Sequence, residues 1–534
     1  MSGSGPSPTA STTTPTIPFA ENATEYKTYL KLQKLVAARA PEQKPRILVF
    51  TDIDQDYDDL LAIVFLAEMH RMGAVELAGF VANHHPVEKR AKFLKTVLRL
   101  LGLPNVPVAK GTRGVEDFKA HAADLYYGLK NTTFINRAKN AALGEGDALI
   151  KRLAEMTGQG GENGKPVTQP LTVLLLSTLQ DIGMFFDKHN NSPEFLQTKF
   201  DKFVSQGGYE IKDEKGTLAA CMGMTNNGFH PAQTKNYTNR LASLNLRSDA
   251  WSREAAKAAR MPGTFIQSLF PLGPIGKHLQ WQWMRQEYKF FWDPLNIPFM
   301  EHLNVDWYLN TRLGLTRGSP EFNQMKDSKL TFIGVAPKIK TIAYDCCAAV
   351  GAVGDDFMRA MGVLAAEANL PAYNKSTRHN HRVFGDKVDD LGGINPNNLA
   401  SVMETFLRGS LLATRKAAEA MIPSSSVKHT ATKDQLGLVF FDTILPTLKE
   451  YRAHQAKAKA LAGSAGKAKK EGNNAEYERL VEAASKETDM ANEKRAVLLP
   501  QVQPMGLKDV PGPNEIPYES MYQVIEKTIQ GRRR

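Results

Sequence analysis

The stretch RILVFTDIDQDYDD, residues 46–59, decides how this chain is read. Its first six residues, Arg46 to Thr51, form a short apolar run, as expected of a strand buried on both faces of a parallel sheet. Its last eight residues hold five carboxylates: Asp52, Asp54, Asp56, Asp58 and Asp59. A helix is expected next, from Leu60 to His70. Acids in the first turn of a helix gain about 0.3–1 kcal/mol each from the helix dipole. That accounts for one or two acids, not for five at the end of a core strand. A bound divalent cation accounts for the crowding, and hard oxygen ligands point to Ca²⁺ or Mg²⁺ rather than Zn²⁺. The loop is not an EF-hand, because it lacks the glycine at the sixth position and the glutamate at the twelfth.

Strand and helix signals alternate outward from this stretch. A helix is expected over 26–39, strands over 75–82 and 106–109, and a helix over 87–101. Later strands are expected over 171–177, 202–206 and 339–344. The alternation predicts an α/β fold: an open, mostly parallel sheet with flanking helices, plus helical additions. Such sheets bind ligands beyond the C-terminal ends of their strands.

The acidic loop is similar to the D-x-D-x-G-x-D-D signature of the inosine–uridine preferring nucleoside hydrolases. Further matches follow in that family's order. Val81-Ala82-Asn83 resembles its V-x-N strand ending, and the run from Val106 to Gly111 its next strand and turn. The run from Leu175 to Gly183 resembles the G-P-L-T-N-I-A junction. Asn245 and Asp249 fit the N-x-x-x-D half of E-x-N-x-x-x-D, and Tyr344-Asp345-Cys346-Cys347-Ala348 resembles H-D-P-C-A. The resemblance covers about residues 45–365 and makes the chain a divergent relative.

This resemblance implies a nucleoside-hydrolase-like fold and one Ca²⁺ per chain, held by Asp54, Asp59, Asp345 and the backbone carbonyl of Leu176. Asp58 and Asn245 match positions that hold ribose hydroxyls, Asn83 another polar pocket residue, and Asp52 a supporting one. The implied reaction is hydrolysis of a ribonucleoside N-glycosidic bond. A metal-activated water loses its proton to Asp54 and attacks through an oxocarbenium-like state. Tyr344 stands where the family has a histidine that assists the leaving base. With an ordinary pKa of about 10, tyrosine is the weaker acid. Ser243 replaces a ribose-binding glutamate, Asp56 the loop glycine and Gln55 the loop proline. Pro271-Leu272-Gly273 keeps part of a Pro-Leu-Asp segment.

Three function classes stay open. The first is a Ca²⁺-dependent N-ribohydrolase acting in purine and pyrimidine salvage. The second is a relative that keeps metal and ribose but has lost turnover or changed substrate, favoured by Tyr344 and Ser243. The third is a haloacid-dehalogenase-type phosphatase built on Asp52-x-Asp54, which leaves Asp58 and Asp59 without a task.

Composition narrows the setting. The chain has 534 residues, 42% of them hydrophobic, and a formal charge of +11. Much of the basic excess lies in the tails, and no aromatic-studded basic stripe suggests nucleic acid. Three cysteines, Cys221, Cys346 and Cys347, argue for a reducing compartment, hence a cytoplasmic protein. No apolar run is long enough for a membrane span. The expected partner is a small-molecule nucleoside, and the reading leaves room for a homo-oligomer. The expected organisation is a disordered leader over 1–25, a hydrolase-like domain over 26–370, a helical extension over 371–454 and a basic linker and tail over 455–534. An aromatic-rich helical insertion near 275–320 fits either a packed subdomain or a lid facing a planar base. His84 and His85 fit either a pocket role or an exposed loop. His379 and His381, between Arg378 and Arg382, read as a surface loop. Cys346 and Cys347 read as small buried side chains. Gly207-Gly208 reads as a close-approach turn.

Overall fold

The computed structural model describes residues 15–115, 132–157, 169–189, 192–213, 215–296, 304–327, 335–365, 380–427 and 445–502. Twelve strands are described. They are β1 Arg46–Thr51, β2 Glu76–Ala82, β3 Val108–Lys110, β4 Gly144–Glu145, β5 Leu171–Leu175, β6 Phe200–Gln206, β7 Tyr209–Ile211, β8 Leu218–Ala220, β9 Ser248–Trp251, β10 Met261–Pro262, β11 Lys340–Thr341 and β12 His381–Phe384. Eight of them form one sheet in the order β12-β9-β6-β5-β1-β2-β3-β4, and every neighbouring pair is parallel. The α/β class read from the sequence is the observed one.

All six residues of β1 are buried. Its side chains alternate: Ile47 and Val49 enter one core layer, Leu48 and Phe50 the other. A strand covered on both faces can afford no polar face, which explains the unbroken apolar run. Helix Asp58–Arg71, between β1 and β2, is buried continuously from Asp58 to Met69. Helices Tyr344–Val353 and Pro396–Met421 pack against it.

From β1 the chain moves to β2, β3 and β4 on one side, then returns to β5 on the other. The connections leaving β1 and β5 therefore diverge, and a crevice opens at the C-terminal ends of these two strands. The acidic loop follows β1, and Leu176 follows β5.

The structure corrects several expectations. Residues 339–344 do not join the eight-stranded sheet. Only Lys340–Thr341 is extended, pairing antiparallel with Met261–Pro262, and Tyr344 already opens a helix. His381 is not in a surface loop but is buried on β12, hydrogen-bonded from Nδ1 to Ser248 Oγ at 2.8 Å; His379 lies outside the described residues. The expected helical extension thus supplies the sheet's edge strand as well as helix Pro396–Met421. Part of the expected leader is docked. Ile17 and Phe19 pack on the core, and Arg71 Nη1 donates to Thr16 O at 3.0 Å. Helices Leu445–Lys470 and Asn474–Val502 pack on each other. No helix among the described residues is long and apolar enough to cross a membrane.

Candidate active site

Four of the five loop carboxylates, Asp52, Asp54, Asp58 and Asp59, are buried. One carboxylate oxygen from each of Asp56, Asp58 and Asp59 lies within 4.8 Å of the other two. Asp54 and Asp345 do not join this trio. Asp345 is nevertheless close enough to Asp58 and Asp59 for their charges to repel its own. The Thr51 hydroxyl donates to Asp59 Oδ1, and Asp58 N donates to Asp56 Oδ1 at 3.3 Å. The loop's left-handed residue is Asp54, with φ 69°. Aspartate tolerates that region better than most residues. Residue 56 is not among the positive-φ positions, so aspartate there does not need the freedom of the family's glycine.

Among the described residues the crowding has a buried counter-charge that the sequence reading missed. Arg90, on helix Val87–Leu100, is fully buried. Its guanidinium donates to the carbonyls of Asp52, Ile53, His84 and His85, and to Gln55 Oε1 at 2.6 Å. It caps the backbone of the loop and faces the carboxylates of Asp52, Asp54 and Asp59.

A second set of missed residues sits on the long helix Gly273–Asn296. His278 Nε2 lies 2.8 Å from Asp54 Oδ1, and both side chains are fully buried. Gln282 Nε2 donates to the same oxygen at 3.3 Å and also to the Asp56 carbonyl. Tyr57 N donates to Gln286 Oε1 at 3.3 Å, and Tyr57 Oη to Glu287 Oε1 at 2.9 Å. Arg312 neutralises Glu287. Asp54 Oδ2 is buried with no hydrogen-bond partner among the described residues.

The remaining expected site residues fall in two places. Asn83, at the end of β2, donates from Nδ2 to Asp181 Oδ2 at 2.9 Å, and Asp181 also receives Thr112 N at 2.8 Å. A Cβ at Gly111 would sit 2.7 Å from Asn83 Cβ, so only glycine allows this close approach. The Leu176 carbonyl receives Asn226 Nδ2 at 3.0 Å. Asn245 is not brought to the loop. It is exposed ahead of β9, at the opposite end of the sheet, where its Oδ1 accepts from Asn380 N at 3.0 Å. Asp249 instead pairs with Arg382 and Lys202. Asn226, on the short helix Thr225–Gly228, is the asparagine brought to the Leu176 carbonyl. His84 is buried rather than exposed, its ring 4.5 Å from that of Phe229. Cys346 and Cys347 are buried.

Burial, and then mutual repulsion, push the Asp58, Asp59 and Asp345 carboxyls well above the usual range. Asp52 rises to about 6, mainly by burial, with Arg90 opposing. Burial raises the Tyr344 hydroxyl to about 12, with Arg312 opposing. These carboxyls hold protons more tightly when folded than when unfolded. The stability they contribute is complete below an ordinary carboxylate pKa of about 4 and is lost as pH rises through the raised values. In chelator, the thermal midpoint is therefore expected to fall between about pH 4 and pH 6 and beyond, and millimolar Ca²⁺ to remove that fall. A midpoint that holds constant or climbs over this range in chelator contradicts the electrostatic picture.

No family model and no curated protein sequence matches this chain. Its fold is similar to that of the type III effector protein XopQ, in a structure complexed with adenosine diphosphate ribose. The identity is 16% and the TM-score 0.57, over 73% of this chain and 99% of that one. The effector protein XOO4466 matches with 16% identity and a TM-score of 0.56, over the same shares. A purine-preferring ribonucleoside hydrolase from Gardnerella vaginalis matches more loosely, with 14% identity and a TM-score of 0.38, over 68% of this chain and 99% of that one. The two effectors establish likeness of fold.

Proposed function

We propose that the chain is a Ca²⁺-dependent N-ribohydrolase acting on ribonucleosides. One observation carries this reading: a trio of carboxylates, Asp56, Asp58 and Asp59, converges at the switch point of a parallel sheet beside Asp54, which keeps one buried oxygen unpartnered. The donor set suits a hard divalent cation, because every ligand is an oxygen and the buried charges repel. Asp59, with Asp58 and Asp56, would hold it, with Asp345 beside them, and the Leu176 carbonyl, at the end of β5, would complete the set. Bound there, Ca²⁺ would lower the pKa of a coordinated water and offset the carboxylate crowding.

The protein's own groups divide the rest of the work. Asp54 Oδ2 takes the proton of the attacking water. Asp58 and its neighbours present negative charge to the anomeric carbon as positive charge develops there. Asn83, oriented by Asp181, offers a fixed amide to the sugar. Tyr344 stays protonated at neutral pH and donates a hydrogen bond, but at about 12 it is a poor acid for the leaving base. A protein of similar fold that was crystallised with adenosine diphosphate ribose, a ribose-bearing molecule, supports a sugar pocket here.

The Tyr344 hydroxyl also favours a second reading, in which the metal and sugar site persists without turnover. Nitrophenyl riboside and nitrophenyl phosphate separate the classes. The riboside is expected to be cleaved in Ca²⁺ and the phosphate left intact. Cleavage of the phosphate alone sinks the proposal, and cleavage of neither supports the non-catalytic relative.

A further inference from the structure

The long helix Gly273–Asn296 turns a buried polar stripe toward the acidic loop. His278, Gln282 and Gln286 recur every four residues, so they share one helix face. All three are buried, and all three bond to the loop between Asp54 and Tyr57. Packing does not account for the stripe. The rings of Phe93, Phe134 and Trp281 lie 4.9, 5.5 and 5.9 Å from that of His278. An apolar side chain would fill this aromatic box without desolvating an imidazole.

What histidine adds is direction. An ionised carboxylate only accepts, so at 2.8 Å His278 Nε2–H donates to Asp54 Oδ1. Gln282 reaches the same oxygen and also ties down the Asp56 carbonyl. Both donors fall on Oδ1, leaving Oδ2 as the oxygen without a partner. The side chain so held belongs to the loop's left-handed residue.

We infer that His278 and Gln282 are positioning residues. They fix the Asp54 carboxylate in one rotamer, so that Oδ2 alone faces the attacking water. The inference rests on the proposed hydrolase activity and adds a base–orienter pair to it. It also gives the aromatic-rich helix a task different from that of a lid: a fixed clamp on the loop.

The test uses the full chain, with nitrophenyl riboside as substrate and calorimetric titration with Ca²⁺. His278→Leu suits the aromatic box and removes the donor. It is expected to lower kcat about 100-fold with KM little changed, the loss typical of a misplaced catalytic group. Ca²⁺ stoichiometry should match wild type. His278→Gln, whose amide N–H reaches a similar place, is expected to recover most of the loss. Gln282→Leu should act in the same direction but less strongly, because His278 still holds the oxygen. If kcat of His278→Leu stays within about twofold of wild type, the inference is overturned while the hydrolase reading stands. Loss of Ca²⁺ binding in His278→Leu, or no recovery in His278→Gln when both variants fold, reduces the stripe to a structural role and also overturns it. No turnover by wild type removes the hydrolase reading, and this inference with it.

Discussion

Asp54→Asn is expected to lower kcat on nitrophenyl riboside by about 10²–10⁴-fold, the span usual for loss of a general base. The substitution is close to a pure change of basicity. Asparagine tolerates the left-handed backbone that Asp54 adopts at φ 69°. Its amide oxygen can still accept the N–H of His278 on the Oδ1 side. What disappears is a second oxygen able to take a proton. Tyr344→Phe should be mild on the same substrate, because nitrophenolate departs unprotonated. On a natural nucleoside it should cost more, to the extent that the hydroxyl hydrogen-bonds the base. Ca²⁺ occupancy must be measured alongside, since a variant that has lost the ion reports only on binding. An Asp54→Asn protein that keeps the ion and full activity refutes the mechanism.

Asp59→Ala carries the other large effect. Wild type should bind about one Ca²⁺ per chain, and the variant none detectable by calorimetry. Asp59 belongs to the converging trio, and the Thr51 hydroxyl at the end of β1 fixes its carboxylate. Removing it takes out one of three clustered oxygen donors and leaves Asp56 and Asp58 without the geometry of the third. Equal heats in both proteins would remove the metal assignment. Arg90 sharpens the comparison, because it already supplies one buried positive charge to the loop. If Arg90 alone satisfied the carboxylates, wild type would show no Ca²⁺ binding, and chelator would leave its pH–stability profile unchanged.

The central strand and its loop were legible because both are extreme in composition: six buried residues without a break, then five acids. The order of the surrounding elements was legible for the same reason, since parallel strands covered on both faces cannot hide their apolar character. Strands β9 and β12 were not. Ser248–Trp251 and His381–Phe384 carry Asp249 and Arg382, which pair across neighbouring strands at 2.6 Å. A charge satisfied by the adjacent strand is invisible to periodicity. Asn245 was misplaced because a short spacing was matched without knowing which end of a strand it occupied. The clamp was written in the sequence as polar residues at four-residue intervals, 278, 282 and 286. Trp281, Trp283 and Phe291 in the same helix drew the reading toward aromatics instead. Arg90 had no signal of its own, because an arginine in an amphipathic helix looks solvated until the loop beneath it is seen.

The measurement that tests the central claim most directly is chromatographic assay of free base and ribose from a panel of natural ribonucleosides, incubated with the full chain in Ca²⁺ and in chelator. At least one nucleoside is expected to yield base and ribose in equal amounts in Ca²⁺, and neither in chelator. A chain with Ca²⁺ bound that releases no base from any of them would contradict the hydrolase account.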